Sequence, residues 1–346
     1  MRTPRLASAL LLLLTLLLLA PCWSRAAEIV DMAGRSVTIP DTCTKVFCAS
    51  PPTLYLLYAL DSTLAAGLNF PFTEQEKVHL RPEFVNLPVL GGWFGQGRTP
   101  NLESVMAAKP DFILAWYWHQ TAANDIIEKT ALTLGVPLVY VRLDTLEHYV
   151  EAFEFLGRIL HREKRGKALA DASRRILDDV APVVAAIPES ERIPVYYAQG
   201  PDGLKTECDT SVHANLINLS GGRNIRSCEA RDSFGMETVS VEEVILGDPA
   251  VILAKERAFT ETARTSPVWS HVRAVRDGRV VDIPAYPFNW FDRPPSFMRI
   301  LGLCWLTNLL HPDRFPRDMV AQTRDFYHLF LDVELDEAQA LKVLGR

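Results

Sequence analysis

Two stretches of this sequence that read as buried β-strands are each followed by side chains able to bind a ligand. Trp116, Tyr117, Trp118 and His119 follow the first stretch, residues 111–115, and Lys255, Glu256 and Arg257 follow the second, residues 250–254. Ligands of open α/β sheets bind beyond the carboxyl ends of the strands. Aromatic faces there favour a bulky or π-rich ligand, and cations favour an anionic one. The alternative is that Trp116 and Trp118 only cover the edge of the sheet.

Two loop-like segments add further aromatic and basic side chains. Residues 91–98 are too rich in glycine for a helix or strand, and residues 286–295 are stiffened by proline. The candidates in these segments are Trp93, Phe94, Arg98, Trp290, Phe291 and Arg293. We expect the first segment to expose its aromatic residues and the second to form a preorganised binding wall. Packing of Trp290 or Phe291 against the helix that follows is the alternative.

The motifs that enzymes use for covalent, metal or nucleotide chemistry do not occur in the sequence. It holds no Gly-x-Ser-x-Gly, no His-Glu-x-x-His, no Walker loop and no Gly-x-Gly-x-x-Gly that opens a helix after a strand. Its eight histidines are scattered, and no Cys-x-x-Cys pair offers a thiolate metal site. The formal net charge of −6 argues against a general nucleic-acid binder. These features favour binding over catalysis.

An internal repeat organises the elements that must position these residues. Residues 102–115 align without gaps on residues 241–254, with six of fourteen positions identical. Each copy reads as a helix, a proline and a strand, within a chain that alternates strands and helices throughout. The repeat predicts two similar α/β lobes with parallel sheets, although any helix–proline–strand unit shares some of this pattern.

A charged, alanine-rich segment separates the two lobes. Residues 163–187 have apolar side chains at helical spacing, which predicts a helix of about 20 residues and about 30 Å. We therefore divide the chain into an N-terminal lobe (27–160), a linking helix (161–188) and a C-terminal lobe (189–346). A stiff helix between the lobes permits only small hinge motions.

The first 26 residues have the pattern of a secretory signal peptide. Arg2 and Arg5 precede an apolar run at 10–19, and Ser24-Arg25-Ala26 offers small residues for cleavage near Ala26. The run is short for a membrane span, which needs about 20 apolar residues, so an uncleaved anchor is the lesser alternative. Lipidation at Cys22 is also disfavoured, because Pro21 precedes it. Removal of residues 1–26 takes the formal net charge from −6 to −9.

Five cysteines remain in the exported chain: Cys43, Cys48, Cys208, Cys228 and Cys304. In an oxidising compartment Cys43 and Cys48, and Cys208 and Cys228, are close enough in sequence to form disulfides. Cys304 lies in an apolar stretch and is expected to be a buried small hydrophobe.

An ordered series of short motifs resembles the periplasmic substrate-binding proteins of iron–siderophore, haem and cobalamin importers. The series consists of DMAGRSVTIP at 31–40, NLE at 101–103 with KPD at 109–111, GGRN at 221–224, SVE at 240–242 and AVRDGRVV at 274–281. The resemblance extends over about residues 28–312. It implies two Rossmann-like lobes joined by one long α-helix, with the ligand in the cleft between the lobes.

The resemblance also implies partners. In that family one glutamate on each lobe docks onto arginines of the membrane permease, and Glu103 and Glu242 occupy the matching positions of this sequence. It therefore implies an exported, periplasmic monomer that works with the permease and ATPase of an ABC importer, without a cofactor besides its ligand. The alternative for either glutamate is a favourable interaction with the helix dipole.

The predicted ligand-binding residues are Trp93, Arg98, Trp116, Tyr117, Trp118, Tyr197, Arg257, Trp290 and Arg293. Tyr117, His119, Tyr197 and His213 are the side chains that can ligate a metal directly. This set favours an anionic metal chelate, with a ferric siderophore ahead of a corrinoid, and a molybdate-type oxyanion or haem behind. An exported enzyme on a related two-lobed scaffold is the competing class.

Overall fold

The computed structural model describes residues 26–93, 98–118, 122–230 and 235–346. The strands are β1 (Ala26–Val30), β2 (Ser36–Pro40), β3 (Val46–Cys48), β4 (Phe112–Trp116), β5 (Leu138–Val141), β6 (Ile193–Ala198), β7 (Lys205–Thr206), β8 (Gly222–Asn224), β9 (Glu237–Thr238), β10 (Val251–Ala254) and β11 (Val280–Asp282). The α-helices are α1 (Pro51–Asp61), α2 (Glu74–Lys77), α3 (Pro82–Val85), α4 (Leu102–Ala108), α5 (Ala122–Leu134), α6 (Leu146–Ile159), α7 (Glu163–Ala185), α8 (Leu216–Leu219), α9 (Val241–Gly247), α10 (Arg257–Thr265), α11 (Arg273–Arg276), α12 (Met298–Leu310), α13 (Met319–Phe326) and α14 (Glu337–Val343).

Each lobe is built on a parallel sheet. The N-terminal sheet has the order β3-β4-β5, and the C-terminal sheet has the order β11-β10-β6-β8. Strands β4, β5 and β10 are buried along their whole length, as expected for parallel strands that helices cover on both faces. The antiparallel pairs β1-β2 and β7-β9 are additions to the two main sheets. The α/β fold with two parallel-sheet lobes is confirmed.

The two copies of the internal repeat form the same local structure. Helices α4 and α9 are each seven residues long, and each ends at a left-handed residue, Lys109 or Asp248, directly before a proline. The shared valine, Val105 or Val244, is buried beneath each helix. Strands β4 and β10 follow at equivalent positions, so each copy delivers its strand's carboxyl end to an equivalent place in its lobe.

Helix α7 is the long connection between the lobes. It has 23 residues, which corresponds to about 34 Å. Its Gly166 lies so close to α6 that a Cβ atom would be 2.4 Å from the Phe153 carbonyl oxygen. The glycine therefore allows α6 and α7 to pack closely, which explains an otherwise poor helix former at this position. Among the residues described, no helix is both long and apolar enough to cross a membrane.

Aromatic side chains from the two lobes pack directly on each other. Phe288, which follows β11, stacks on Tyr55 of α1 with ring centroids 3.7 Å apart, and it meets Tyr58 edge-on at 6.1 Å. The Tyr58 hydroxyl donates to the Leu331 carbonyl oxygen at 3.1 Å, and the Tyr286 hydroxyl bonds Gln75. Helix α1 follows β3, so segments that leave the carboxyl ends of both sheets meet here. The carboxyl ends of the two sheets are thus turned toward one interface.

The cysteines follow the sequence expectations only in part. Cys208 and Cys228 form a disulfide, and Cys304 is buried beside Met319. The pairing of Cys43 with Cys48 is wrong, because both thiols are free. Cys48 ends strand β3 and Cys43 precedes its start, so the extended chain between them holds their Cα atoms farther apart than the roughly 7 Å that a disulfide tolerates.

Replacement of Phe288 by alanine tests the packing between the lobes. The ring is 3% exposed, and its loss should lower the free energy of unfolding by about 3–5 kcal/mol through lost burial and the remaining cavity. Urea unfolding followed by circular dichroism measures this loss. Val78→Ala, at a side chain that is 71% exposed, is the control and should change stability by less than about 0.5 kcal/mol. A Phe288→Ala loss no larger than that of the control would show that this contact does not hold the lobes.

Candidate functional site

An aromatic cluster occupies the carboxyl end of β4. Trp116 and Trp118 lie against each other with ring centroids 3.8 Å apart, and the Trp116 indole N–H donates to Asp144 Oδ1 at 3.3 Å. Tyr117 meets Tyr140 edge-on at 5.3 Å. Trp116 is buried, whereas Tyr117 and Trp118 are half-buried. The structure therefore brings these three predicted residues together, with Tyr117 and Trp118 still partly accessible.

The first glycine-rich segment contributes Trp93 and Arg98 among the described residues. Trp93 is half-buried, and its ring lies edge-on to Phe47 of β3 at 6.1 Å. Its backbone N–H donates to the Ala49 carbonyl oxygen at 2.7 Å, which anchors the segment at the end of the same sheet. Arg98 is exposed. The predictions for Phe94 and His119 concern residues outside the described part of the chain.

Arg142 and Asp144 lie near the aromatic cluster and were not predicted from the sequence. Arg142 directly follows β5, and its Nε lies 3.5 Å from Asp144 Oδ2, while His148 Nδ1 lies 3.4 Å from the same oxygen. Because Asp144 also accepts from Trp116, it connects the aromatic cluster to a cation. The position of Arg142 just beyond a predicted strand was the signal that could have identified it.

The C-terminal lobe presents an ionic network in place of aromatic rings. Glu207 is fully buried and accepts hydrogen bonds from Gln199 Nε2 at 3.0 Å, the Ser211 hydroxyl at 3.1 Å and the Met236 backbone N–H at 2.9 Å. Arg293 forms an ion pair with Glu207 and donates to Gln199 Oε1 at 2.7 Å. Gln199 directly follows β6, so the network lies at the carboxyl end of this sheet.

Arg293, one of the predicted ligand residues, is therefore ion-paired within its own lobe, and its contact with a ligand stays a prediction. Burial lowers the pKa of its guanidinium, but the carboxylates of Asp292 and Glu207 outweigh this effect and raise the pKa overall. Asp292 Oδ2 lies 3.3 Å from Arg293 Nε, and Asp292 Oδ1 lies 2.6 Å from His213 Nδ1. His213 is thus the partner of a buried carboxylate. Arg293 therefore forms ion pairs with both buried acids, and Asp292 also contacts the His213 imidazole.

Three other predicted ligand residues differ widely in exposure. Trp290 is fully buried and packs closely on Gly302 of α12. A Cβ atom at position 302 would collide with the Trp290 carbonyl oxygen, so the glycine is what allows this close packing. The structure therefore shows Trp290 packed on the following helix, the alternative to the binding wall predicted for it. Tyr197 is also buried, 4.6 Å from Phe291. Arg257 is 84% exposed and lies 3.6 Å from Glu261 of its own helix, outside the group described above.

The carboxylates predicted to dock a permease are both exposed. Glu103 and Glu242 each occupy the second position of a seven-residue helix, α4 or α9. The side chains of Asn101 and Ser240 cap these helices by accepting backbone N–H groups. The two glutamates are therefore structurally equivalent, and neither is needed as the N-cap.

Three or more His, Cys, Asp or Glu side chains do not cluster in metal-binding geometry anywhere in the described part of the chain. The cluster of aromatic residues and the ionic network consist of rings, guanidinium groups and carboxylates. Such groups can recognise an anionic or π-rich solute through stacking and hydrogen bonds.

Replacement of Glu207 by glutamine tests the ionic network. The change leaves the Arg293 guanidinium, which is 20% exposed, with Asp292 but without the Glu207 carboxylate as a counter-charge. Loss of one partner of a largely buried pair should lower the free energy of unfolding by about 3 kcal/mol in chemical denaturation. Glu189→Gln breaks an Arg192 pair whose glutamate is 76% exposed and should cost less than about 1 kcal/mol. Equal effects of the two variants would contradict a structural role for the network.

Comparisons with known proteins agree with this architecture. The sequence profile of the family described as periplasmic binding protein matches residues 90–287. The solved structure of an ABC transporter solute binding protein from Sulfurospirillum deleyianum superposes with a TM-score of 0.87 at 36% identity, over 92% of this chain and 99% of that one.

Two similar proteins have named ligands. The molybdate-binding protein MolA of Haemophilus influenzae is 26% identical over 92% of this chain and 95% of its own length. The Fe(3+)-citrate-binding protein YfmC of Bacillus subtilis is 23% identical over 54% of this chain and 58% of its own length. These matches confirm the resemblance found in the motifs. The chain therefore belongs to the periplasmic binding protein family, and its role is that of a substrate-binding protein.

Proposed function

We propose that this protein is exported, captures an anionic metal-containing solute between its lobes and delivers the solute to the permease of an ABC importer. The observation that carries the proposal is the meeting of the two sheets' carboxyl ends at one interface, fixed by α7 and by the Phe288 contacts. One sheet end provides the aromatic cluster and the other provides the ionic network. A ligand that contacts both groups would favour the closed arrangement of the lobes.

A ferric siderophore-type chelate is the first candidate ligand. The half-buried faces of Trp93, Tyr117 and Trp118 suit the flat or ringed groups of such chelates, and Arg98 and Arg142 lie on the same lobe to match negative charge. The similarity to a ferric citrate-binding protein supports this class.

A molybdate-type oxyanion is the second candidate. It is favoured by the similarity to MolA over nearly the whole of both chains.

A fluorescence titration separates these candidates. We expect ferric citrate, a ferric catecholate siderophore or sodium molybdate to quench the tryptophan emission with saturation at one equivalent. Trp118→Ala removes a partly accessible ring and should weaken binding at least about tenfold, because stacked aromatic contacts contribute on the order of 1 kcal/mol or more.

Trp269→Phe is the matched control, since this indole packs on Phe259 inside the C-terminal lobe, and the affinity should stay unchanged. Cobalamin and haem serve as competing ligands. Binding of either of these in place of the ferric chelates and molybdate would contradict the proposed solute class.

Export is part of the proposal. The signal peptide predicted for residues 1–26 lies almost entirely outside the described residues, and β1 begins at Ala26. Cleavage near Ala26 would therefore leave the described fold nearly whole.

The docking surface for the permease is proposed to centre on Glu103 and Glu242. Equivalent carboxylates on two similar lobes match the symmetry of a permease built from two like halves. Exposed apolar side chains accompany both glutamates, with Met106 58% exposed on α4 and Leu246 85% exposed on α9. Exposed apolar groups beside complementary charges are typical of protein-binding surfaces.

Charge reversal at both positions tests this surface. Glu103→Lys with Glu242→Lys should abolish solute uptake in cells that carry the cognate importer, while the dissociation constant of the purified protein stays within about twofold of wild type. Glu337→Lys is the matched control, because Glu337 is an exposed first-turn acid on the equally short α14. Uptake lost with Glu337→Lys, or solute affinity lost with the double variant, would contradict docking at these glutamates.

A further inference from the structure

We propose that Asn69 is a positioning residue for the candidate site, because its buried side chain holds Trp93 at the carboxyl end of β3. This inference rests on the proposed function, since Trp93 is one of the aromatic residues proposed to contact the solute. Asn69 itself does not touch the solute. It orders the backbone that carries the indole ring, so this ordering does not have to be achieved at the moment of binding.

Backbone hydrogen bonds bring residues 65–69 next to the segment that carries Trp93. This stretch runs beside β3, to which the Ala66 N–H donates a hydrogen bond of 2.9 Å. Two residues further on, the Leu68 carbonyl oxygen accepts the Leu90 N–H at 2.8 Å. The stretch therefore links β3 to the segment that leads into Trp93.

The Asn69 side chain joins the end of β3 to this segment directly. The residue is 4% exposed, and its Nδ2 donates to the Cys48 carbonyl oxygen at 2.8 Å and to the Gly91 carbonyl oxygen at 2.9 Å. Cys48 is the last residue of β3, and Gly91 lies two residues before Trp93. Because both acceptors are carbonyl oxygens, the amide nitrogen must face them, which fixes the orientation of the amide.

The backbone between Gly91 and Trp93 packs tightly against the same groups. A Cβ atom at Gly92 would lie 2.6 Å from the Ala49 carbonyl oxygen and 2.6 Å from Asn69 Nδ2. The Trp93 N–H donates to the same Ala49 carbonyl oxygen at 2.7 Å. Glycine is therefore needed at position 92 for this close approach. The amide of Asn69 and the missing side chain of Gly92 together set where the indole ring begins.

The acceptor atom of Asn69 indicates that stability alone does not account for this residue. Its Oδ1 is buried and has no hydrogen-bond partner among the residues that the structure describes. A buried acceptor without a partner carries a desolvation cost, which offsets part of the gain from the two donor bonds. What the side chain provides without such an offset is the position of the segment that carries Trp93.

A double-mutant cycle with Trp93 tests the inference. We expect Asn69→Ala and Trp93→Ala each to weaken solute binding about tenfold. The double variant should bind within about twofold of Trp93→Ala alone, because Asn69 acts through this ring. Gly92→Ala displaces the segment without removing the amide and should also weaken binding about tenfold. Calorimetric titrations of the purified proteins with ferric citrate and, separately, with sodium molybdate give the affinities.

Asn308→Ala is the matched control. The Asn308 Nδ2 donates to the Phe315 carbonyl oxygen at 2.9 Å, and the residue is half-buried in the C-terminal lobe. Its replacement removes the same kind of hydrogen bond and should lower the melting temperature while the affinity stays at the wild-type value.

A spectroscopic measurement reports on Trp93 without solute. The near-ultraviolet circular dichroism of this indole is the difference between each protein and its Trp93→Phe counterpart. We expect this difference signal to lose intensity in Asn69→Ala, because the ring is no longer held in one orientation, and to be unchanged in Asn308→Ala.

Wild-type affinity in Asn69→Ala, or an unchanged Trp93 signal, would overturn this inference while leaving the proposed function intact. Losses that multiply in the double variant would also overturn it, since Asn69 would then act independently of Trp93. An equal loss of affinity in Asn308→Ala would assign the effect to general destabilisation. If the wild-type protein binds neither probe, the proposed function fails and the role of Asn69 in binding fails with it, whereas the Trp93 signal still supports or refutes the positioning contact.

Discussion

The packing of the two lobes on each other is the constraint on which the other features of this protein depend. Phe288 of one lobe is stacked on Tyr55 of the other, and the 23-residue α7 fixes the separation of the two sheets. Because these contacts turn the carboxyl ends of both sheets to one interface, residues far apart in sequence meet there. Loss of this packing would expose both rings to water. Rigid packing also limits the motion available to signal that solute is bound.

The interface brings a second constraint, because it buries charge. Glu207, Asp292 and Arg299 are all fully buried, and a buried ion costs several kcal/mol unless partners surround it. The two acids have such partners in Arg293 and His213, and Arg299 donates to the carbonyl oxygens of Phe291 and Val212. The stable fold and the candidate site are therefore linked by the same electrostatics.

Local pattern was enough to predict the lobes, the repeat, the linking helix and the aromatic cluster after β4. These features depend on residues close in sequence, whose periodicity and spacing carry the information. The burial and charge pairing of individual side chains depend on residues that are distant in the sequence. Trp290 is buried because Gly302, which has no Cβ, leaves room for the Trp290 carbonyl oxygen. Arg293 is paired with Glu207, which lies 86 residues away in the sequence.

Anomalous X-ray diffraction from crystals grown with ferric citrate or with molybdate tests the central claim most directly. The wavelength is set at the absorption edge of the metal, so the map shows the metal alone. We predict one strong peak per molecule between the two lobes, beside Trp118 on one side and near the ends of β6 and β10 on the other. A peak confined to the outer surface of one lobe, with none between the sheets, would contradict capture of a metal-containing solute in the cleft.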